Sequence, residues 1–295
     1  MNSYDKEAIF HLPGCFEYFK VYKAFFQVLG QHPDAIRENC KIGSLYGSPS
    51  CKWNGGRAML NLTLKMEDLK LLKAAAADWK IPIRFTFTNC LLTEEHLDDV
   101  YANILLAVFA NSNNEIICNS EILEKYIRNK YKDGFRYISS TTKRLISPEA
   151  QNKELEKDYY LVVLDYDYNF DFDYLKSIEN KEKCELLCNP VCVPKCPYRK
   201  EHYKKLSALQ LDPDPANITH FCPYQRDTKT FFEIVNKENV IKPQDINKYL
   251  KLGFKHFKLE GRATSPLNVL DIITHYLIKD EHQNLIKSLV HGIIW

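Results

Sequence analysis

Apolar and polar positions along the chain follow two alternating rhythms. Short runs rich in β-branched and aromatic residues, each closed by a polar turn, predict strands at Ala8–Pro13, Cys40–Tyr46, Ile83–Asn89, Glu115–Asn119, Phe135–Ser140, Tyr159–Asp165, Cys184–Asn189 and Phe254–Glu260. Between them the apolar spacing becomes helical. Phe16–Leu29 has apolar residues at 16, 19, 22, 25, 26 and 29, and Met66–Trp79, Glu94–Phe109, Glu121–Tyr131, Pro243–Leu252 and Pro266–Ile278 behave alike. Strands that alternate with helices imply a parallel sheet, because parallel neighbours need crossover connections rather than hairpins. Eight strands, the last followed by a helix, predict an α/β fold: a (β/α)8 TIM-like barrel over residues 1–295. An open doubly wound sheet is the competing arrangement.

Two stretches break the rhythm. A glycine-rich loop runs from Gly47 to Arg57, and residues 190–251 form a long insertion after the seventh strand. In a barrel both rise from the C-terminal ends of strands, where active sites are built. Bulk composition adds little: of 295 residues, 45% are hydrophobic and the net charge is +2, from 40 basic and 38 acidic side chains. Such a balance supports a sizeable core and excludes a global attraction to nucleic acid or anionic membrane. The N-terminal residues lack a signal-peptide pattern, and no apolar run reaches the roughly 18–20 residues of a membrane helix. The expected compartment is the cytoplasm, where clustered thiols more often bind metal or do chemistry than form disulfides.

The insertion opens on the densest chemistry in the chain, Cys192-x3-Cys196-Pro-Tyr-Arg199-x-x-His202, with Cys222-Pro223 downstream. Three thiolates with His220 would satisfy a tetrahedral zinc ion. An iron–sulfur cluster needs about four thiolates, so Cys192, Cys196 and Cys222 would be joined by Cys188, Cys15, Cys90 or a non-protein ligand. Cys184 and Cys188 share one strand face, which makes core packing the simpler expectation for both. The predicted strand ends supply a second set of candidates: Asn89, Asn119, Ser140, Asp165, Asn189, and the sequence Glu260-Gly261-Arg262. Such a ring of polar groups suits a small polar ligand, and Arg262 could hold a carboxylate or phosphate with two donors.

Cys192-x3-Cys196-Pro-Tyr-Arg-x-x-His-Tyr, reached from a strand ending in Asn189, resembles the cysteine loop of the U32 collagenase-like peptidase family. Phe257-Lys-Leu-Glu-Gly-Arg262 is similar to that family's lysine–aliphatic–Glu-Gly-Arg strand. The resemblance implies a TIM-like barrel carrying a [4Fe–4S] cluster and, despite the peptidase label, kinship with oxygen-independent hydroxylases acting on a quinone ring or on RNA bases. The family's Glu-Phe…His-Gly-Ala-Leu-Cys signature is absent, and Phe135–Thr142 stands in its place without a cysteine. Only Cys192 and Cys196 therefore carry over directly.

Three functions are compatible with these residues. In the first, an iron–sulfur enzyme acts on a small anionic substrate or a nucleobase, with Arg262 binding it and Glu260 or His202 moving protons. In the second, the chain is a peptidase, although neither G-x-S-x-G nor H-E-x-x-H occurs and the hydroxyl cluster Ser139–Thr142 has no assignable base. In the third, a metal-clamped barrel binds RNA or a partner through Trp53, Arg57, Tyr198, Arg199, Lys200, His202, Lys204 and Lys205.

Overall fold

The computed structural model describes residues 7–56, 59–213, 230–262 and 264–295. Eight parallel strands close into a barrel in chain order: β1 (Ala8–Pro13), β2 (Cys40–Gly47), β3 (Ile83–Phe87), β4 (Glu115–Cys118), β5 (Arg136–Ser139), β6 (Leu161–Val163), β7 (Cys184–Leu187) and β8 (His256–Lys258), which pairs back to β1. Every strand lies on its predicted run. Most are shorter, because the polar residues at their C-terminal ends leave the ladder and turn over the barrel mouth. The open doubly wound alternative is excluded by the β8–β1 pairing.

The crossovers are α1 (Phe19–Gln31), α2 (Met66–Asp78), α3 (Val100–Phe109), α4 (Glu121–Tyr131), α5 (Pro148–Leu155) and α6 (Phe172–Ser177). Between β7 and β8 run α7 (Arg199–Leu211), α8 (Phe231–Val235) and α9 (Ile246–Leu252), and α10 (Pro266–Leu277) and α11 (Gln283–Ile294) follow the barrel. Local chemistry marks many ends. Ser120, Ser147 and Ser265 accept hydrogen bonds from the first turns of α4, α5 and α10, and Pro148 and Pro266 occupy first-turn positions where no N–H is needed. Gly253 closes α9 at φ +109°.

Two separate sets of buried side chains result from the two-residue strand period. Phe10, Leu12, Leu45, Phe85, Phe87, Ile116, Val162, Leu186 and Phe257 point outward and form one continuous core with the helices. The opposite faces fill the barrel. Ile117, Ile138, Leu161 and Val163 make an aliphatic half on β4, β5 and β6, the filling usual for this fold. The other half is ionic, and residues from non-adjacent strands meet there across the axis. Arg84 of β3 donates from Nε to Glu115 of β4 at 2.6 Å and from Nη1 to Glu185 of β7. His11 of β1 lies 3.5 Å from Glu185, 3.1 Å from His256 Nδ1 and 2.8 Å from Ser44 Oγ.

A bulge makes the last contact possible. The β1–β2 register slips between Phe10 and His11, so Gly43 is the extra residue and Ser44 faces His11. A Cβ at Gly43 would stand 2.8 Å from His11 Cε1, and only glycine fits beneath that imidazole.

Candidate active site

Above the ionic layer the barrel opens into a polar mouth whose floor is Lys258, at the end of β8. Its Nζ is 3.7 Å from Glu185 Oε1 and 4.2 Å from the centre of the Tyr46 ring, and 12% of the side chain is exposed. Burial, opposed by Glu185 and reinforced by Arg84 and Arg262, brings its ammonium down to about 7. Burial pushes the Glu185 carboxyl up, but Arg84 and then Lys258 outweigh it and hold the group below the usual carboxylate range. The floor thus combines an ionised acid with a lysine poised to lose its proton near neutrality. No sequence signal marks Lys258 beyond its place in the Lys-Leu-Glu-Gly-Arg run, because the shift depends on side chains from β3 and β7.

Arg262 leans over the mouth and donates from Nη1 to Thr86 Oγ1 at 2.7 Å. Across from it lie Asn119, whose Nδ2 donates to Thr142 Oγ1 at 2.8 Å, and Ser140, 2.9 Å from the same hydroxyl. In the same hydroxyl cluster Ser139 Oγ donates to Glu154 Oε1 at 2.6 Å and Thr141 Oγ1 to Leu164 O at 3.0 Å. The neighbouring Lys143 turns away to Glu154 and Tyr159, so it does not serve the hydroxyls as a base.

The cysteine loop is fastened to the rim beside the mouth. Glu260 Oε2 accepts the Val191 N–H at 3.0 Å, Asp167 Oδ1 accepts the Lys195 N–H at 2.7 Å, and Arg199 Nη2 donates to Val193 O at 2.7 Å. Arg199 also binds Asp167 Oδ2 at 2.5 Å and stacks over Tyr166. Burial would raise the Asp167 carboxyl, but its bonds from Arg199 and Lys195 bring it below its ordinary value. Arg144 reaches Asp165 and Asp167, and burial leaves Asp165 raised. Cys192 and Cys196 are both half-buried here, and Cys192 lies beside the phenols of Tyr166 and Tyr203, which are 3.2 Å apart.

From this loop α7 crosses to the opposite rim. Ser207 O accepts from Asn89 Nδ2 at 3.1 Å, Ser207 Oγ lies 3.4 Å from Cys90 Sγ, and Gln210 exchanges two hydrogen bonds with the Met59 backbone at 2.9 and 3.0 Å. His202 sits half-exposed in the first turn of α7.

Several sequence-based expectations change. Trp53 does not face a ligand: it is fully buried, donates its indole N–H to His96 O at 2.7 Å and packs edge-on against Phe87 and Tyr126. Arg199 is 1% exposed and holds the cysteine loop rather than a substrate. Asn189 ties β7 to β8 through paired bonds with the Glu260 backbone at 2.8 and 2.7 Å. Glu260 carries part of the same scaffold. Cys188 faces the helix layer near Tyr249 and Tyr276, where burial drives its thiol well above the ordinary range, so it is a core residue and not a loop ligand. Cys15 is also in the core. Arg57, His220 and Cys222 lie outside the described residues. Among the described residues no three His, Cys, Asp or Glu side chains are placed to hold a metal ion.

No protein-family model matches the chain. Its sequence is 31% identical over 139 residues to the uncharacterized protease MJ1657 of Methanocaldococcus jannaschii, a match covering 45% of this chain and 41% of that protein. Its fold superposes on the U32 peptidase Mk0906 with a TM-score of 0.53, over 90% of this chain and 97% of that one, at 12% identity. The chain is similar in sequence to part of that protease and shares its fold with that peptidase. The likeness in fold extends over the whole barrel. No helix among the chain's described residues is long and apolar enough to cross a membrane.

Proposed function

We propose that this chain is a hydrolase of peptide or related amide bonds that works at the barrel mouth. The curated relative is named a protease and the structural neighbour a peptidase. The observation that carries the reading is Lys258, a lysine on the floor of a polar mouth, down at about 7 and 3.7 Å from an ionised carboxylate. A neutral amine there can take a proton from an attacking water, and Glu185 stabilises the ammonium that forms. Arg262 is placed to hold the carbonyl oxygen as negative charge develops on it. Metal-independent cleavage of a peptide library is expected, with a rate that rises through about pH 7 as Lys258 deprotonates. Lys258→Met should lower kcat by roughly 10²–10⁴-fold with the fold intact by circular dichroism. No cleavage by purified wild type in the presence of a chelator would end the hydrolytic reading.

The iron–sulfur reading rests on Cys192 and Cys196, two thiols on one loop beside the mouth. A [4Fe–4S] cluster needs about four such ligands. The described residues supply two, because Cys188 and Cys15 lie in the hydrophobic core and Cys90 sits on the opposite rim beside Ser207, so the donor set does not close on them and no step is derived through a cluster. Oxygen-independent hydroxylation of a small anionic substrate or a nucleobase, free or in RNA, is the activity this reading entails. Anaerobic purification with metal analysis tests it: stoichiometric iron and visible absorption would support it, and a colourless protein with one zinc would replace the cluster by a structural clamp.

A further inference from the structure

The mouth contains an amine and a carboxylate oxygen that face each other at 3.7 Å. Glu185 Oε1 is buried with no hydrogen-bond partner, while its other oxygen is held by Arg84. Lys258 Nζ lies 3.7 Å from it, beyond an ordinary hydrogen bond, and the lysine retains an exposed sliver facing the mouth. Arg262, on the same side of β8, is a charged neighbour with one guanidinium nitrogen engaged by Thr86.

From this geometry we infer that Lys258 is a nucleophilic amine that forms a reversible imine with a small 2-oxo acid, whose carboxylate is held by Arg262. The inference rests on the mouth being the active site and not on peptide hydrolysis. The Nζ lone pair attacks the carbonyl carbon, and a C–N bond forms as the carbonyl oxygen becomes a hydroxyl. Glu185 Oε1 takes one proton from the amine and passes it to the alkoxide, giving that hydroxyl, and then relays the second N–H proton to it, so that it leaves as water when the C=N bond forms. Amine and carbonyl become imine and water, so neither oxidant nor reductant is required. Hydrolysis reverses the step.

Wild-type protein treated at pH 7 with glyoxylate and sodium cyanoborohydride, then digested and mapped by mass spectrometry, tests this directly. About half of the Lys258 amine is neutral at that pH, against roughly one in 10³ for an ordinary lysine. Carboxymethylation at Lys258 roughly 10²-fold faster than at surface lysines is therefore expected. Arg262→Met should slow labelling by glyoxylate well beyond labelling by acetaldehyde, which loses only what the lost Arg262 charge costs in neutral amine. Modification spread evenly over the lysines of wild type would overturn the imine. Equal loss of both labels in Arg262→Met, or loss of neither, would overturn the carboxylate assignment. Labelling reads the amine without peptide cleavage, so the two readings fail separately. A labelled protein that cleaves nothing loses only the hydrolytic reading, and a cleaving protein that never labels loses only the imine.

Discussion

Arg84 reaches across the barrel axis from β3 and donates to Glu115 and Glu185 at once, with all three side chains no more than 1% exposed. Glu115 receives a second cation, Arg136, at 2.6 Å. Ions withdrawn this far from water are tolerated only while each has its partner. Arg84→Met leaves Glu115 to Arg136 and strips Glu185 of its strongest bond, and a loss of about 3–5 kcal/mol in urea unfolding is expected. The same substitution frees a carboxylate beside Lys258 and should raise that lysine's pKa, moving the pH-activity limb upward. Read residue by residue, the chain offers Arg84 as one charge in a strand run, Ile83–Phe87 (IRFTF), otherwise apolar and hydroxylic. Its partners are 31 and 101 positions away, and no local pattern connects them.

The loop after β2 and the helix α7 illustrate what is legible at the scale of the element. The glycine-rich loop was expected to serve function, and its glycines have a geometric reason. A Cβ on Gly55 would lie 2.4 Å from the Thr88 carbonyl carbon and oxygen, because the loop lies flat on the end of β3 and Trp53 O accepts the Asn89 N–H at 3.1 Å. Gly55→Ala must lift the loop off β3. A loss of about 1–3 kcal/mol in stability is expected, together with new proteolytic cleavage between Ser48 and Gly56 that wild type resists. Helix α7 escapes sequence reading for the opposite reason. Its buried positions include Arg199, Ser207 and Gln210, so polar side chains bonded to neighbouring loops replace the apolar stripe by which a helix is usually recognised. By contrast α4 and α10 begin and, within a residue, end where their apolar spacing places them. Both bury a conventional stripe against the strands.

For the whole molecule, the histidines link stability to acid. Burial, opposed by Glu185, holds His256 down at about 4 from an ordinary 6.5; burial, with Arg37, does the same for His275. His11 is also held well below its ordinary value, by burial and by Arg84. Between about 4 and 6.5 the unfolded chain binds protons that the folded chain refuses, so stability rises with pH across that window and is lost as pH falls through it. Each such histidine contributes a slope of up to about 1.4 kcal/mol per pH unit. His275→Gln, outside the barrel network, should flatten the fall in thermal midpoint between pH 6.5 and pH 4 while leaving the midpoint above pH 7 nearly unchanged. Lys258 extends the upward slope from about 7 towards its ordinary 10.5, because there too the unfolded state carries the extra proton.

Taken alone, the sequence determined the eight strands, the order in which they alternate with helices, and the stretches that rise over the mouth. Those follow from periodicity, which a chain carries locally and each crossover merely repeats. Closure of the ring decided the rest. It set Lys258 against Glu185 and Arg84, made Asn189 a tie between β7 and β8 and Glu260 and Arg199 fasteners for the cysteine loop, and buried Trp53 and Cys188 on the far side of the strands. Proton affinity, burial and pairing depend on which distant side chains share a low-dielectric space, and only the folded barrel brings them together.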